Sequence, residues 1–242
     1  KKSSSGILFS GASRMKAIIL AAGLGNRMRP LTLTTPKPLL AVGDKPLIVW
    51  HIEALKKAGI TEIIINTAWL GDKLHQALGD GSAYGVKILW SDEDEPLETA
   101  GGIQKALPLL GEEPFLLVNG DIWLRYDFKS LAEKSLGDKL AHLVLVANPP
   151  QHPNGDFAFR RDNDSSLIQA TGDERYTFAG VSLLSPRLFA SLAAGKAPLA
   201  PLLRQAIAEG QVTGEYFAGA WVDVGTPERL ADLDAAIRSQ QI

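Results

Sequence analysis

The chemically most suggestive stretch of the chain is Ala21-Ala22-Gly23-Leu24-Gly25-Asn26-Arg27-Met28. It follows the apolar run that begins at Ala17 and precedes Lys37, which stands between Pro36 and Pro38. Small residues and glycines directly after a strand let the backbone approach a ligand closely, and the N–H groups of such a loop form a nest for phosphate oxygens. A plain glycine turn would account for Gly23 and Gly25 alone. Arg27 and Lys37 add two cations to a loop already suited to anions, and the flanking prolines stiffen the backbone that carries Lys37. Two other phosphate loops do not fit. The third glycine of a dinucleotide-binding fingerprint is replaced by Met28, and Pro30 interrupts the helix that should open there. No Gly-x-x-x-x-Gly-Lys-Ser/Thr occurs either.

Composition narrows the chemistry further. The 242 residues include 25 Lys or Arg and 27 Asp or Glu, 45% are hydrophobic and none is cysteine. This is the composition of an ordinary globular protein. Without cysteine there is no disulfide, thiol nucleophile or thiolate zinc site, and His51, His75, His142 and His152 lack metal-ligand spacing. No Ser/His/Asp or Glu/His constellation is recognisable. Residues 1–14, rich in serine, glycine and bases, are expected to be an appended tail, with a native start at Met15 and one domain over 15–242. The body without Lys1, Lys2 and Arg14 is more acidic still, which leaves no basic field for a nucleic acid. No run of about 18 apolar residues is present to span a bilayer. The expectation is a cytoplasmic protein with small-molecule partners, no nucleic acid and no membrane; its oligomeric state has no signal in the sequence.

The elements that must position the loop alternate between strand and helix patterns. Strand-like runs at 16–22, 61–67, 86–91 and 113–121 are separated by helical patterns at 46–59, 70–79 and 101–110. Ile63-Ile64-Ile65 and Phe115-Leu116-Leu117-Val118 are apolar on both faces, as in strands covered by helices on each side of a parallel sheet. Gly59 and Gly79 mark helix ends. Asp121 then lies where a parallel strand ends, the edge at which open α/β sheets bind ligands. Beyond it, 141–147 and the segments Asp156–Arg161 and Tyr176–Leu184 read as strands, 186–194 and 199–209 as helices, and Val212–Val224 as a final pair of strands. The closing helix is expected over Pro227–Ser239 with Thr226 as its N-cap.

The segment from Ala21 to Met28, with Pro30-Leu31-Thr32 and Pro36-Lys37-Pro38, resembles the signature of the sugar-1-phosphate nucleotidylyltransferases. The likeness extends through Asn119-Gly120-Asp121 and Trp221-Val222-Asp223-Val224-Gly225-Thr226-Pro227-Glu228. It implies a Rossmann-like GT-A-type α/β fold, in which a mixed, mainly parallel sheet is flanked by helices in a single domain. The implied reaction joins a nucleoside triphosphate to a sugar 1-phosphate and releases pyrophosphate, with magnesium as cofactor. Asp121 and Asp223 are the implied metal ligands, Arg27 and Lys37 the catalytic cations on the polyphosphate, and Ala21, Ala22, Gly23, Gly25, Lys37, Thr99 and Asn119 the nucleotide contacts. Gly155 and Asp156 match the sugar-facing loop. The attacking sugar phosphate is already an anion, so no general base is required.

Glu98–Ile103, Asn119–Trp123 and Asn154–Phe157 resemble the members that use UTP and N-acetylmuramic acid 1-phosphate in peptidoglycan recycling. Guanylyltransferases acting on mannose 1-phosphate, thymidylyltransferases acting on glucose 1-phosphate and non-catalytic regulatory subunits share parts of the pattern. Many members carry a sugar-phosphate lysine before the sugar-side strand; here the stretch reads Thr171 to Gly180 without one. Arg175 is a replacement to consider, and Arg125, Arg160 and Arg175 are the basic residues near the sugar-facing segments.

Overall fold

The computed structural model describes residues 14–161 and 166–242; the expected tail, apart from Arg14, lies outside the described residues. In chain order the elements are β1 (Ala17–Leu20), β2 (Ala41–Val42), β3 (Lys45–Pro46), α1 (Leu47–Lys57), β4 (Glu62–Thr67), α2 (Gly71–Leu78), β5 (Lys87–Asp92), α3 (Glu98–Leu110), β6 (Phe115–Asn119) and β7 (Ile122–Leu124). There follow α4 (Phe128–Ala132), β8 (Ala141–Val146), β9 (Phe157–Ala158), β10 (Arg175–Leu184), α5 (Leu199–Ala208), β11 (Val212–Tyr216), β12 (Trp221–Asp223) and α6 (Pro227–Arg238).

The main sheet has the order β11-β8-β10-β6-β1-β4-β5, with β9 added along β10. All neighbours are parallel except β10, which runs antiparallel to β6, β8 and β9. The expected mixed, mainly parallel sheet is therefore present. Strand alternation divides the core between its two faces. Ala17, Ile19, Ile63, Ile65, Leu116 and Val118 pack with Ile48, Ile52 and Leu55 of α1, Leu74 of α2 and Phe128 of α4. Ile18, Ile64, Phe115 and Leu117 face Ile103 and Ala106 of α3 and Leu203 of α5. Runs apolar on both faces were the signal of this sandwich, since each such strand has a helix layer above and below.

The chain moves outward from β1 to β4 and β5, then crosses back to place β6 on the other side of β1. That reversal opens a crevice beyond the carboxyl ends of β1 and β6. Their register pairs Leu20 with Asn119, and Leu20 with Asn66 of β4, so β1 and β6 end level and β4 runs one residue further.

Several expectations need adjustment. Gly101 and Gly102 do not open α3; the helix begins at Glu98 and carries both inside it, where a Cβ on Gly102 would sit 2.8 Å from Asn66 Nδ2. The helix expected over 186–194 is a single 3₁₀ turn, Pro186–Phe189, whose Leu188 and Phe189 plug into the core. Tyr176 to Leu184, read as a strand from the sequence, is not a short alternating one but part of a ten-residue strand buried at every position from Ala179 onward. The final two strands do not pair with each other: β11 joins β8, and β12 joins β7. The Thr226 cap is present, with its Oγ1 accepting from Arg229 N–H at 3.3 Å.

One buried histidine ties α1 to β7. His51 of α1 donates Nε2–H to the Ile122 carbonyl at 2.8 Å, and burial pushes its pKa from the ordinary value down to about 4 against the opposing effect of that hydrogen bond. The unfolded chain takes up a proton below about pH 6.5, whereas the native state excludes it until about pH 4. Native stability is therefore expected to fall by about 3 kcal/mol as pH drops through that window. Urea unfolding across this range checks it: His51→Gln should flatten the slope, and an unchanged slope would assign the loss to other groups.

Candidate active site

The crevice is built outward from the ends of β1, β4 and β6. Asn66, at the end of β4, accepts the Ala21 N–H on Oδ1 at 2.7 Å, and so sets where the loop leaves β1. Its Nδ2 donates to Glu93 Oε2 at 3.0 Å, while Glu93 Oε1 accepts the Leu97 N–H at 2.9 Å. Burial raises the Glu93 pKa, and these hydrogen bonds partly offset it. Past Ala22 the loop turns through Gly25 at φ +67°, where a Cβ would lie 2.8 Å from Thr32 Cγ2. Thr32 Oγ1 donates to the Gly25 carbonyl at 2.6 Å, and Trp69 Nε1 to the Thr32 carbonyl at 2.9 Å. Residues 26–28 form one 3₁₀ turn and no longer helix, as Pro30 foretells. On the other wall, a Cβ on Gly120 would overlap the Leu20 carbonyl oxygen, which accepts the Gly120 N–H. Only glycine lets β6 turn this close to β1.

The resulting cleft, about 450 Å³, is lined by Ala21, Ala22, Gly23, Gly25, Arg27, Lys37, Thr99, Asn119 and Asp121, with Asn66, Glu93 and Glu98 among their neighbours. Nine residues singled out from the sequence thus share one cavity. Lys37 projects from a 3₁₀ turn, Lys37–Leu39, and its side chain is 13% exposed. Burial lowers its pKa, Asp121 and Asp223 pull it back up, and Arg27 and Arg229 push it down again. Lys37 Nζ lies 3.9 Å from Asp121 Oδ2.

Sequence separation leaves open whether Asp121 and Asp223 meet, and strand pairing brings them together. Asp223 stands opposite Ile122 in the β7–β12 pair, and Val224 N–H donates to the Asp121 carbonyl at 2.9 Å. Among the described residues no group of three or more His, Cys, Asp or Glu is placed to hold a metal. Two adjacent aspartates nonetheless fit a small hard cation that takes its remaining ligands from phosphate and water. Asp223 also faces Arg229, with Nη2 to Oδ2 at 3.6 Å.

Gly155 and Asp156 lie outside the cleft lining. Because Val181 pairs with Val118, β10 runs antiparallel past the end of β6, and its residues before Gly180 project beyond the edge that bears Asn119. The loop is held there by Asp156, whose Oδ2 accepts Phe178 N–H at 2.8 Å and whose Oδ1 faces His152 Nε2 at 2.9 Å. Arg175 clasps the same loop through the carbonyls of Asn154 and Asp156. Arg125 packs on the Trp123 ring, 5.1 Å from its centroid, away from the cleft. Trp50, Trp69 and Trp90 serve packing and backbone carbonyls. The sequence reading missed Asn66, Glu93 and Arg229. Asn66 carried the same strand-end signal as Asp121, and Arg229 stands where the first turn of a helix disfavours a cation.

Comparison with known proteins shows the family and agrees with the fold. Residues 16–170 match the model of the nucleotidyl transferase family. The N-acetylmuramate alpha-1-phosphate uridylyltransferase of Neisseria meningitidis serogroup B is 53% identical over 226 residues, covering 91% of this chain and 97% of that protein. A mannose-1-phosphate guanyltransferase of Aspergillus fumigatus is 34% identical over 88% of this chain, which spans 62% of its length. A solved structure assigned as a glucose-1-phosphate thymidylyltransferase of Bacillus anthracis superposes with a TM-score of 0.80 at 25% identity, covering 93% of this chain and 95% of that one. With its glycine loop after β1, its cleft at the β1/β6 switch point and this match, the chain belongs to the nucleotidyl transferase family.

Proposed function

We propose that the protein transfers the uridylyl group of UTP to N-acetylmuramic acid 1-phosphate, giving UDP-N-acetylmuramic acid and pyrophosphate. One observation carries the choice of substrates: 53% identity along nearly the whole of a protein named for that reaction, against 34% to the guanyltransferase. Catalysis over mere sensing is supported by Arg27, Lys37 and Asp121 lining one cleft and by Asp223 acting electrostatically on Lys37. Such a reaction returns a cell-wall sugar to the nucleotide-activated pool, as in peptidoglycan recycling, and draws on cytoplasmic UTP. No helix among the described residues is long and apolar enough to cross a membrane.

In this reading the loop from Ala21 to Gly25 takes the nucleotide with its backbone, Thr99 and Asn119 flank it, and Arg27 and Lys37 hold the polyphosphate. An oxygen of the sugar phosphate attacks the α-phosphorus in line; the new P–O bond forms as the bond to the β-phosphate oxygen breaks, and pyrophosphate leaves. The nucleophile brings its own negative charge, so alignment and charge neutralisation are the protein's task. Lys37 is suited to it: shielded from water, its ammonium acts on phosphate through a lower effective dielectric than an exposed lysine would. Asp121 and Asp223 would hold magnesium, which when bound neutralises phosphate charge. Gly155 and Asp156 would face the sugar, with Asp156 accepting a hydroxyl or amide hydrogen on a lone pair left by its present partners.

Pyrophosphate release with UTP and magnesium should show N-acetylmuramic acid 1-phosphate used at least tenfold more efficiently in kcat/KM than the N-acetylglucosamine analogue, about 1.4 kcal/mol. A preference for GTP with mannose 1-phosphate, or for dTTP with glucose 1-phosphate, would overturn the substrate assignment. Asp121→Asn and Asp223→Asn should each lower turnover about 10²-fold or more at saturating magnesium, with melting temperatures within a few degrees of the parent. Near-normal kcat in either variant would remove that aspartate from the metal site. Lys37→Met should lose turnover by a similar factor without losing stability, since burying a methylene chain without its charge relieves desolvation; a large stability loss with intact kinetics would make Lys37 structural.

A further inference from the structure

Arg229 is the one charged group of this cluster that the reading above leaves without a task. It occupies the third residue of α6, where Thr226 is the N-cap. A helix's first turn favours acidic side chains, and the third position in particular favours glutamate or glutamine in a capping box, so arginine there works against local stability. The fold nevertheless makes room for it. A Cβ on Gly225 would overlap Arg229 Nη2, so the glycine before Thr226 leaves the guanidinium its space. Its pairing is poor: Nη2 stands 3.6 Å from Asp223 Oδ2, longer than a charge-assisted hydrogen bond, and Nε is buried with no partner.

The charges around it are unbalanced. Lys37 feels two carboxylates, Asp121 and Asp223, and two further cations, Arg27 and Arg229. Three cations against two carboxylates leave an anion-seeking site, and any cation that the aspartates took up would increase the excess. Arg27 and Lys37 line the nucleotide cleft, whereas Arg229 does not. It lies instead on the β12 side, and β12 is tied to β10 by Trp221 Nε1 donating to the Ala179 carbonyl at 2.8 Å. β10 is the strand whose projecting end carries the loop with Gly155 and Asp156. Arg175, beside that loop, spends its guanidinium on the Asn154 and Asp156 carbonyls.

We infer that Arg229 binds the phosphate of the incoming sugar 1-phosphate, exchanging its loose contact with Asp223 for the phosphate oxygens. This rests on the nucleotidylyltransferase reading but not on which sugar is used, because the phosphate is common to all. Arginine's planar fork suits bidentate phosphate binding, and the side chain is partly exposed.

The test compares the parent with Arg229→Gln and Arg229→Lys. KM for the sugar 1-phosphate should rise at least tenfold in Arg229→Gln while KM for UTP stays within twofold, and Arg229→Lys should recover part of the loss. As a readout independent of turnover, N-acetylmuramic acid 1-phosphate alone should raise the melting temperature of the parent and not of Arg229→Gln. An equal rise in both KM values, a loss confined to kcat, or a shift only in the magnesium activation constant would overturn the assignment; the last would make Arg229 a holder of Asp223. If the parent prefers another sugar 1-phosphate, the same comparison is made with that compound, and only a parent inactive with every pair would defeat the underlying reading.

Discussion

The parallel register of β1 with β4 on one side and β6 on the other is the constraint from which the site follows. Leu20 is level with both Asn66 and Asn119, so the loop after β1, the amide that grips Ala21 and the turn into Asp121 all emerge at one edge. Each strand is locked by apolar side chains above and below, including Ile18, Ile19, Ile64, Ile65, Leu117 and Val118, all fully buried. A one-residue slip would exchange the two faces and carry these anchor groups out of line. The polar edge is thus positioned by the hydrophobic interior, and its precision derives from close packing rather than from contacts among the polar groups themselves.

On that edge the second organising feature is a lysine kept from water among mixed charges. Burial disfavours the ammonium of Lys37, two aspartates favour it, and two arginines oppose it. Surface ion pairs of similar length contribute little because water screens them, and the 3.9 Å separation from Asp121 is not a tight pair. The arrangement makes sense as a receptacle for added negative charge. Glu93 contrasts with it. Bound to the Leu97 N–H and the Asn66 amide beneath the loop, it completes a chain of hydrogen bonds that ends at Ala21 and serves to fix backbone.

The small β7–β12 pair has a role out of proportion to its length. Three residues on each side join Asp223 to the turn at Asp121, and Trp221 links the same strand to β10. Behind it, Trp123, Val224, Leu47 and Leu233 form a separate apolar cluster that holds α1 and α6 against it. Asp223 therefore sits on this ribbon and Asp121 in the tight turn that leads into it, held by the Val224 N–H, so the geometry of both is set by paired backbone rather than by free loops.

Much of this was legible in residue order alone. Runs apolar on both faces announced a covered parallel sheet, the glycines and Arg27 after the first of them announced the loop that lines the cleft, and Pro30 ruled out a long helix there; local sterics and periodicity suffice for each. Helix α3, expected over 101–110, begins three residues earlier, and Gly102 inside it admits Asn66 and Glu93 against the helix side. Asp121 and Asp223 could be suspected singly, but their meeting depends on a pairing between β7 and β12 that no spacing encodes. The same holds for Asn66 reaching Ala21, for the projection of β10 past Asn119, and for Arg229 standing beside Asp223. Periodicity reports which face of an element seeks the core, whereas the distance between charges remote in sequence is set only when those faces have packed, since that packing is the sum of many nonlocal contacts.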